Sequence, residues 1–191
     1  MRISGGEARG IPLLVPKGDA VRPATEGMRQ AVFSRLGARV AGARFLDLFA
    51  GSGAYGLEAL SRGAAGGTFI EQNGKAVACL RRNIEAVCKS LGRDDDVVNV
   101  VQADARAVPV GGNTSGFELV FIDPPYELIQ EIVPALFGRL SEVLASNPDA
   151  LVLLELPGEL EVAPAGWKLL KRLGKGVRQP TVAIFRAERA L

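Results

Sequence analysis

The chain has 191 residues, 48% hydrophobic and 23% charged, with a net charge of +2; that is one domain with a full core, too short for two and too weakly basic overall to argue for nucleic acid. No apolar run approaches the ~20 residues that cross a bilayer, and the start, Met1-Arg2-Ile3-Ser4-Gly5-Gly6, lacks the apolar stretch of a signal peptide. The absence of histidine excludes His-based acid–base catalysis and Ser–His or Cys–His pairs, and Cys79 and Cys88 in one predicted helix support neither a disulfide framework nor a zinc site. A cytoplasmic protein without metal is expected.

Residues 1–44 are basic. Arg2, Arg9, Lys17, Arg22, Arg29, Arg35, Arg39 and Arg44 stand against Glu7, Asp19 and Glu26, a net +5 that leaves −3 for residues 45–191. Such an arm suits phosphate contacts, or simple solvation. Arg2–Ser4 and Ile11–Val15 flank Gly5-Gly6 and Gly10, the pattern of a small hairpin, and Pro16-Lys17-Gly18-Asp19 reads as a turn. Thr25 can cap a helix running to about Arg35 with Val32, Phe33 and Leu36 on its apolar face, broken by Gly37 and Gly42.

Phe45–Phe49 reads as a strand running into Ala50-Gly51-Ser52-Gly53-Ala54-Tyr55-Gly56, and a helix over Leu57–Arg62 follows. A strand, a glycine-rich turn and a helix let a ligand approach the backbone near a helix amino terminus. The spacing of Gly51, Gly53 and Gly56 also fits a dinucleotide fingerprint, but Asp47 inside the strand would repel a pyrophosphate and suits an ammonium. Thr68–Glu71 is the second strand. Glu71 lies 20 residues after Gly51, where a carboxylate accepts from both hydroxyls of a ribose. Asn73 caps a long helix with Val77, Leu80, Ile84, Val87 and Leu91 at helical spacing, ended by Gly92. Val97–Val101 is the third strand, and Asp104 beyond it can accept from an adenine amino group.

The fourth strand, Phe117–Asp123, stops at Pro124-Pro125-Tyr126. Two prolines fix φ and remove two backbone donors, so this is a stiff, extended turn at the carboxyl end of a strand. The Asp123 carboxylate and Pro124 carbonyl are acceptors for an exocyclic NH2, and the Tyr126 ring is a face for stacking a base. A helix over Ile129–Leu144, a fifth strand over Ala150–Glu155 and a closing pair, Trp167–Leu173 and Thr181–Arg186, complete the pattern. Strands alternating with helices predict an α/β protein with a doubly wound, mostly parallel sheet. Asp47, Glu71, Asp104 and Asp123 then stand along strand ends, a set suited to an ammonium, a ribose and an aminopurine.

Leu46-Asp47-Leu48-Phe49-Ala50-Gly51-Ser52-Gly53, then Gly56 to Ala64, and finally Asp123-Pro124-Pro125-Tyr126 resemble the S-adenosylmethionine-dependent amino-methyltransferases. With Arg2-Ile3-Ser4-Gly5-Gly6, Arg9-Gly10 and Arg22-Pro23-Ala24-Thr25 through Arg29 to Phe33, the likeness narrows to the bacterial family that methylates the N2 amino group of a guanine in 16S ribosomal RNA. It covers essentially the whole chain. The resemblance implies one Rossmann-like class I methyltransferase domain: a basic arm and helix over 1–44, and a seven-stranded core over 45–191 with its last strand antiparallel. It implies S-adenosylmethionine held by Asp47, Phe49, Ala50, Gly51, Gly53, Glu71, Gln72, Asp104, Ala105, Arg22 and Thr25, with Arg22–Arg29 closing over it. It further implies methyl transfer at Asp123, Pro124, Pro125 and Tyr126, RNA contacts from Arg2, Arg9, Arg22 and Arg29, and a monomer acting on 16S rRNA or the small ribosomal subunit. Three places depart from the family pattern: Gln30 and Asn73 stand where acids are usual, and Leu173–Gln179 replaces a shorter turn.

Rival readings of the same residues are a DNA adenine-N6 methyltransferase, for which no added target-recognition segment is present, and a protein-glutamine methyltransferase, which usually has Asn in place of Asp123. A dehydrogenase, disfavoured by Asp47, and a non-catalytic RNA-binding module on the same fold complete the set.

Overall fold

The computed structural model describes residues 1–16, 25–107, 116–174, 176 and 179–188. Arg22, the turn after Pro16 and Lys175, Val177 and Arg178 of the substituted turn lie outside the described residues.

Seven strands form one sheet: β1 (Arg44–Leu48), β2 (Gly66–Glu71), β3 (Val98–Gln102), β4 (Leu119–Ile122), β5 (Leu151–Pro157), β6 (Trp167–Leu173) and β7 (Pro180–Ala187), in the order β3-β2-β1-β4-β5-β7-β6. The first five run parallel, and β7 lies antiparallel between β5 and β6. The expected mostly parallel, seven-stranded sheet with an antiparallel last strand is therefore present.

The helices are α1 (Glu26–Leu36), α2 (Ala54–Ser61), α3 (Gly74–Leu91) and α4 (Ile129–Val143). Side chains alternate across a strand, and here both faces are apolar. Phe45, Phe69, Phe121 and Leu153 pack under α1, α2 and α3 with Phe33, Leu57 and Leu80. Leu46, Leu48, Val120, Ile122 and Leu154 pack under α4 with Val133, Leu136, Phe137 and Leu140. Burial on both faces explains the nearly continuous apolar runs of β4 and β5. Strand order reverses between β1 and β4, and the loops leaving those two strands face a common crevice, the usual ligand position in such sheets.

Local chemistry sets the boundaries. Thr25 caps α1 by accepting from Met28 N–H at 3.2 Å, and Asn73 caps α3 by accepting from Lys75 and Ala76 N–H at 2.9 and 3.2 Å. Helix α2 begins three residues earlier than the sequence pattern indicates. Gly53 precedes it with φ 88°, and the Asp47 carboxylate reaches up from β1 to accept from Gly56 N–H at 2.9 Å. That acid satisfies a free amide of the first turn from outside the helix, a contact no local pattern reveals.

The amino-terminal arm is a small hairpin, as expected: Ile3 N–H donates to the Ile11 carbonyl at 3.0 Å and Leu13 N–H to the Met1 carbonyl at 2.9 Å. It is bolted onto α2, with Ser4 N–H and Oγ donating to Glu58 at 2.8 and 2.7 Å and Glu7 N–H to the Ser61 carbonyl at 2.7 Å. Arg29, expected to contact RNA, is instead buried. Arg29 is 1% exposed, on the inner face of α1 with Val32, Phe33 and Leu36. Its guanidinium donates to the Arg2 carbonyl at 2.8 Å and lies 3.8 Å from Glu58. Arg2 and Arg9 remain on the surface.

Candidate active site

A cleft of about 570 Å³ opens at the carboxyl ends of β1, β2, β3 and β4. One wall is the loop after β1, with Phe49, Gly51 and Ser52; the next is Glu71, Gln72 and Asn73 after β2; Ala103 and Ala105 follow β3, and Asp123, Pro124, Pro125 and Tyr126 follow β4. Two stretches far apart in sequence, the glycine loop and the Asp-Pro-Pro-Tyr turn, thus face one space.

The glycine loop is held tightly. Phe49 has φ 60°, a conformation a bulky side chain rarely adopts and one that clusters at ligand sites. At Gly53 an added Cβ would meet Leu80 at 2.5 Å, and at Gly56 it would meet Phe69 at 2.3 Å and Phe45 at 2.6 Å. Gly56 thus lets α2 sit directly on the sheet, and Gly53 lets the loop before it close against Leu80 of α3. Glu71 completes the loop by accepting from Gly51 N–H at 2.8 Å and Asn73 N–H at 2.7 Å. Each carboxylate oxygen has a second lone pair, so Glu71 is oriented by the protein and keeps acceptor capacity for two ligand hydroxyls.

Asp47 does not line the cleft. Buried at 2% exposure, it holds the loop from below through Gly56, and burial pushes its carboxyl up to about 7, against the pull of the Gly56 amide and with Glu71 adding to the rise. Asp104 is also outside the lining. Hydrogen bonds from the Arg106 side chain and then its backbone N–H hold its carboxyl below the usual range, with a 2.6 Å ion pair. The adenine-contacting role read for Asp104 thus competes with Arg106, while its neighbours Ala103 and Ala105 line the cleft. Ala50 is buried behind the loop, Gly53 is the residue before α2, and Thr25 caps α1.

On the opposite wall the Pro-Pro turn is extended, Pro125 having φ −53° and ψ 130°. Burial raises the Asp123 carboxyl well above the ordinary carboxylate range, and the charges of Glu155 and Asp47 raise it further, with Arg29 opposing. Glu155, from β5, accepts from Tyr55 Oη at 2.7 Å and from Tyr126 Oη at 3.4 Å. Burial raises Glu155 too, and these tyrosine hydrogen bonds oppose the rise.

Sequence reasoning passed over Glu155 and Tyr55. It also passed over Val15 and Pro16 of the arm, which reach the cleft, and Asn83 behind them. Asn83 is 1% exposed and joins arm to loop: Leu14 N–H donates to its Oδ1 at 2.8 Å, while its Nδ2 donates to the Leu14 and Ser52 carbonyls, each at 2.9 Å. The one available signal was a polar residue on the buried face of α3, beside Leu80, Ile84 and Val87.

Comparisons with known proteins agree with this geometry. Ribosomal RNA small subunit methyltransferase D of Escherichia coli K12 is 36% identical over 171 residues, 88% of this chain and 82% of that protein. The Haemophilus influenzae protein of the same name is 30% identical over 178 residues, 93% of this chain and 90% of that one. The solved structure of the Escherichia coli protein yhhF matches with a TM-score of 0.74 at 33% identity over 98% of both chains. An RNA methyltransferase of Salinibacter ruber, solved with S-adenosyl-L-homocysteine, shares the fold with a TM-score of 0.63 at 19% identity, covering 88% of this chain and 95% of that one. The profile of the family described as "Conserved hypothetical protein 95" matches residues 1–184, and the chain belongs to that family, together with the ribosomal RNA small subunit methyltransferases D.

Proposed function

We propose that this chain transfers a methyl group from S-adenosylmethionine to the exocyclic N2 amino group of a guanine in 16S ribosomal RNA. The supporting observation is that one cleft holds both the Glu71-braced glycine loop and the Asp123-Pro124-Pro125-Tyr126 turn. The donor set fits the cofactor: Glu71 is aimed at a vicinal diol, Gly51 and Ser52 offer close backbone approach, and Phe49, Ile70 and Ala105 supply apolar wall.

S-adenosylmethionine supplies a methyl group already activated on a sulfonium, so the protein contributes position more than acid–base power. A target base leaves its stack to enter such a site. Tyr126 provides the surface for its ring, and Asp123 with the Pro124 carbonyl accepts its amino hydrogens and orients the nitrogen lone pair. Alignment of this kind is worth ~7–11 kcal/mol in favourable cases.

Labelled cofactor mixed with naked 16S RNA, assembled small subunits or duplex DNA tests the reading. Label is expected on a guanine of the RNA or the subunit; label on duplex DNA, or none anywhere, overturns it. In the same assay Asp123→Ala is expected to abolish transfer while calorimetry finds cofactor affinity within about threefold of the parent, a change under ~1 kcal/mol. Equal loss of both would make Asp123 a structural residue.

A further inference from the structure

Beneath the Asp123–Tyr126 turn lies a group of acids that positioning alone does not use. Strands β4 and β5 are parallel with Ile122 beside Leu154, so the next residues, Asp123 and Glu155, come side by side. They fall on the sheet face that carries Phe121 and Leu153, and Asp47, paired with Phe121, is on that face of β1. Glu155 is 2% exposed and both its oxygens are bonded, Oε2 by Tyr55 at 2.7 Å and Oε1 by Tyr126 at 3.4 Å. Tyr55 is fixed in turn by stacking on Phe121, centroids 5.4 Å apart and planes within 13°.

The groups facing Glu155 are therefore Asp123 from β4, Tyr55 from α2, Tyr126 from the turn and Arg29 from α1, with Asp47 one strand further on. Among the described residues Arg29 is the cation that acts on them, and it is also engaged with Glu58. Hydrogen bonds from two phenols favour a charged Glu155, whereas Asp123 accepts none from Tyr55 or Tyr126. Of two neighbouring acids that cannot both ionise readily, Asp123 is thus the one that takes the proton.

We propose that Glu155 is a positioning residue for the methyl transfer: its charge makes its neighbour Asp123 the proton acceptor of the reaction, and its bond to Tyr126 anchors the hydroxyl end of the ring on which the base lies. The inference rests on the function proposed above and adds a residue that touches neither base nor cofactor. In the step it serves, the N2 lone pair forms the bond to the methyl carbon and the carbon–sulfur bond breaks with its pair remaining on sulfur. The nitrogen, now carrying a positive charge, gives one proton to the Asp123 carboxylate. A carboxyl with its proton affinity brought nearer to working pH is the better acceptor. The positive sulfonium opposes Glu155 and favours the ionised Asp123 when both substrates are present.

Carbon-13 aspartate labelling of the protein without ligands, with the Asp123 resonance identified through Asp123→Asn, provides the test. In Glu155→Gln the Asp123 titration midpoint is expected to fall by about 1–3 pH units, and the rising limb of kcat against pH is expected to move the same way. Glu155→Asp, which restores the charge, is expected to return both toward the parent; if the glutamine variant does not fold, Tyr55→Phe, which removes the 2.7 Å hydrogen bond favouring the Glu155 charge, is expected to move both in the same direction as Glu155→Gln by a smaller amount. A midpoint that stays put in Glu155→Gln, or fails to return in Glu155→Asp, overturns the proposal, as does a moved midpoint with an unmoved rate limb. Failure of the parent to methylate any nucleic acid is a separate result, bearing on the function itself, because the titration needs no substrate.

Discussion

Asp47 holds the glycine loop at an electrostatic disadvantage. Its carboxyl titrates near 7 in the folded chain against an ordinary 3.8, so the folded state binds the extra proton between those values. Stability therefore falls as pH rises from about 4 to about 7, by on the order of 4 kcal/mol from this residue. Asp47→Asn keeps an oxygen for Gly56 N–H without the charge, and urea unfolding across pH 4.5–8 is expected to show a flatter profile for the variant. Parallel profiles would place the charge elsewhere. That Asp123 and Tyr126 stand at a strand end facing the cleft was legible from the proline pair between them, and the place of Glu71 from its 20-residue spacing after Gly51 at the end of an apolar strand. Glu155 was not. It sits inside Leu153-Leu154-Glu155-Leu156, an ordinary apolar run, and its partner Asp123 is adjacent only through the β4–β5 register. Arg29 departs from its expected exposure for a related reason: charge counting treats every arginine as exposed, whereas the helical period puts Arg29 in line with Val32, Phe33 and Leu36 on the buried face of α1.

At the scale of elements, the contact of α2 with β1 and β2 is set by the missing side chain at Gly56. Gly56→Ala forces a methyl into Phe45 and Phe69, an overpacking expected to remove about 1–3 kcal/mol. For a chain of this size that is a fall in melting temperature of roughly 2–12 °C, and an unchanged value would mean the two rings move aside freely. Asn83 joins elements that share no sequence proximity. Asn83→Ala leaves the Leu14 amide and the Leu14 and Ser52 carbonyls without their partner, and is expected to lose about 1–3 kcal/mol and to weaken cofactor binding, since both segments border the cleft. Calorimetry showing full cofactor affinity would separate arm from site. Helices α1 and α3 and strand β6 followed the sequence closely, each bounded by a cap, a glycine or a clear apolar run. The onset of α2 did not, because its first turn is satisfied by a carboxylate from another strand.

Across the whole molecule, charge and connectivity each have a consequence. Arg2 and Arg9 lie on the surface of an arm whose own hydrogen bonds hold it against α2, with Arg2 paired to Glu26 at 3.2 Å. Arg2→Gln with Arg9→Gln is expected to reduce RNA affinity and to flatten the slope of log affinity against log salt by about 1–2, with cofactor affinity untouched; an unaltered slope would assign the phosphate contacts to other residues. The sheet order was readable in outline from alternating strands and helices, but which neighbours β6 and β7 take was not, since two closing strands can join an edge in either sequence. The order found, with β7 wedged between β5 and β6, governs how a growing polypeptide becomes an enzyme. Until β7 is made, β6 lacks the one strand neighbour it has among the described residues, and the margin of β5 stands bare. Both rims stay open to aggregation until β7 arrives and zips them together in one event, so a fragment halted before residue 180 gains neither half of that closure.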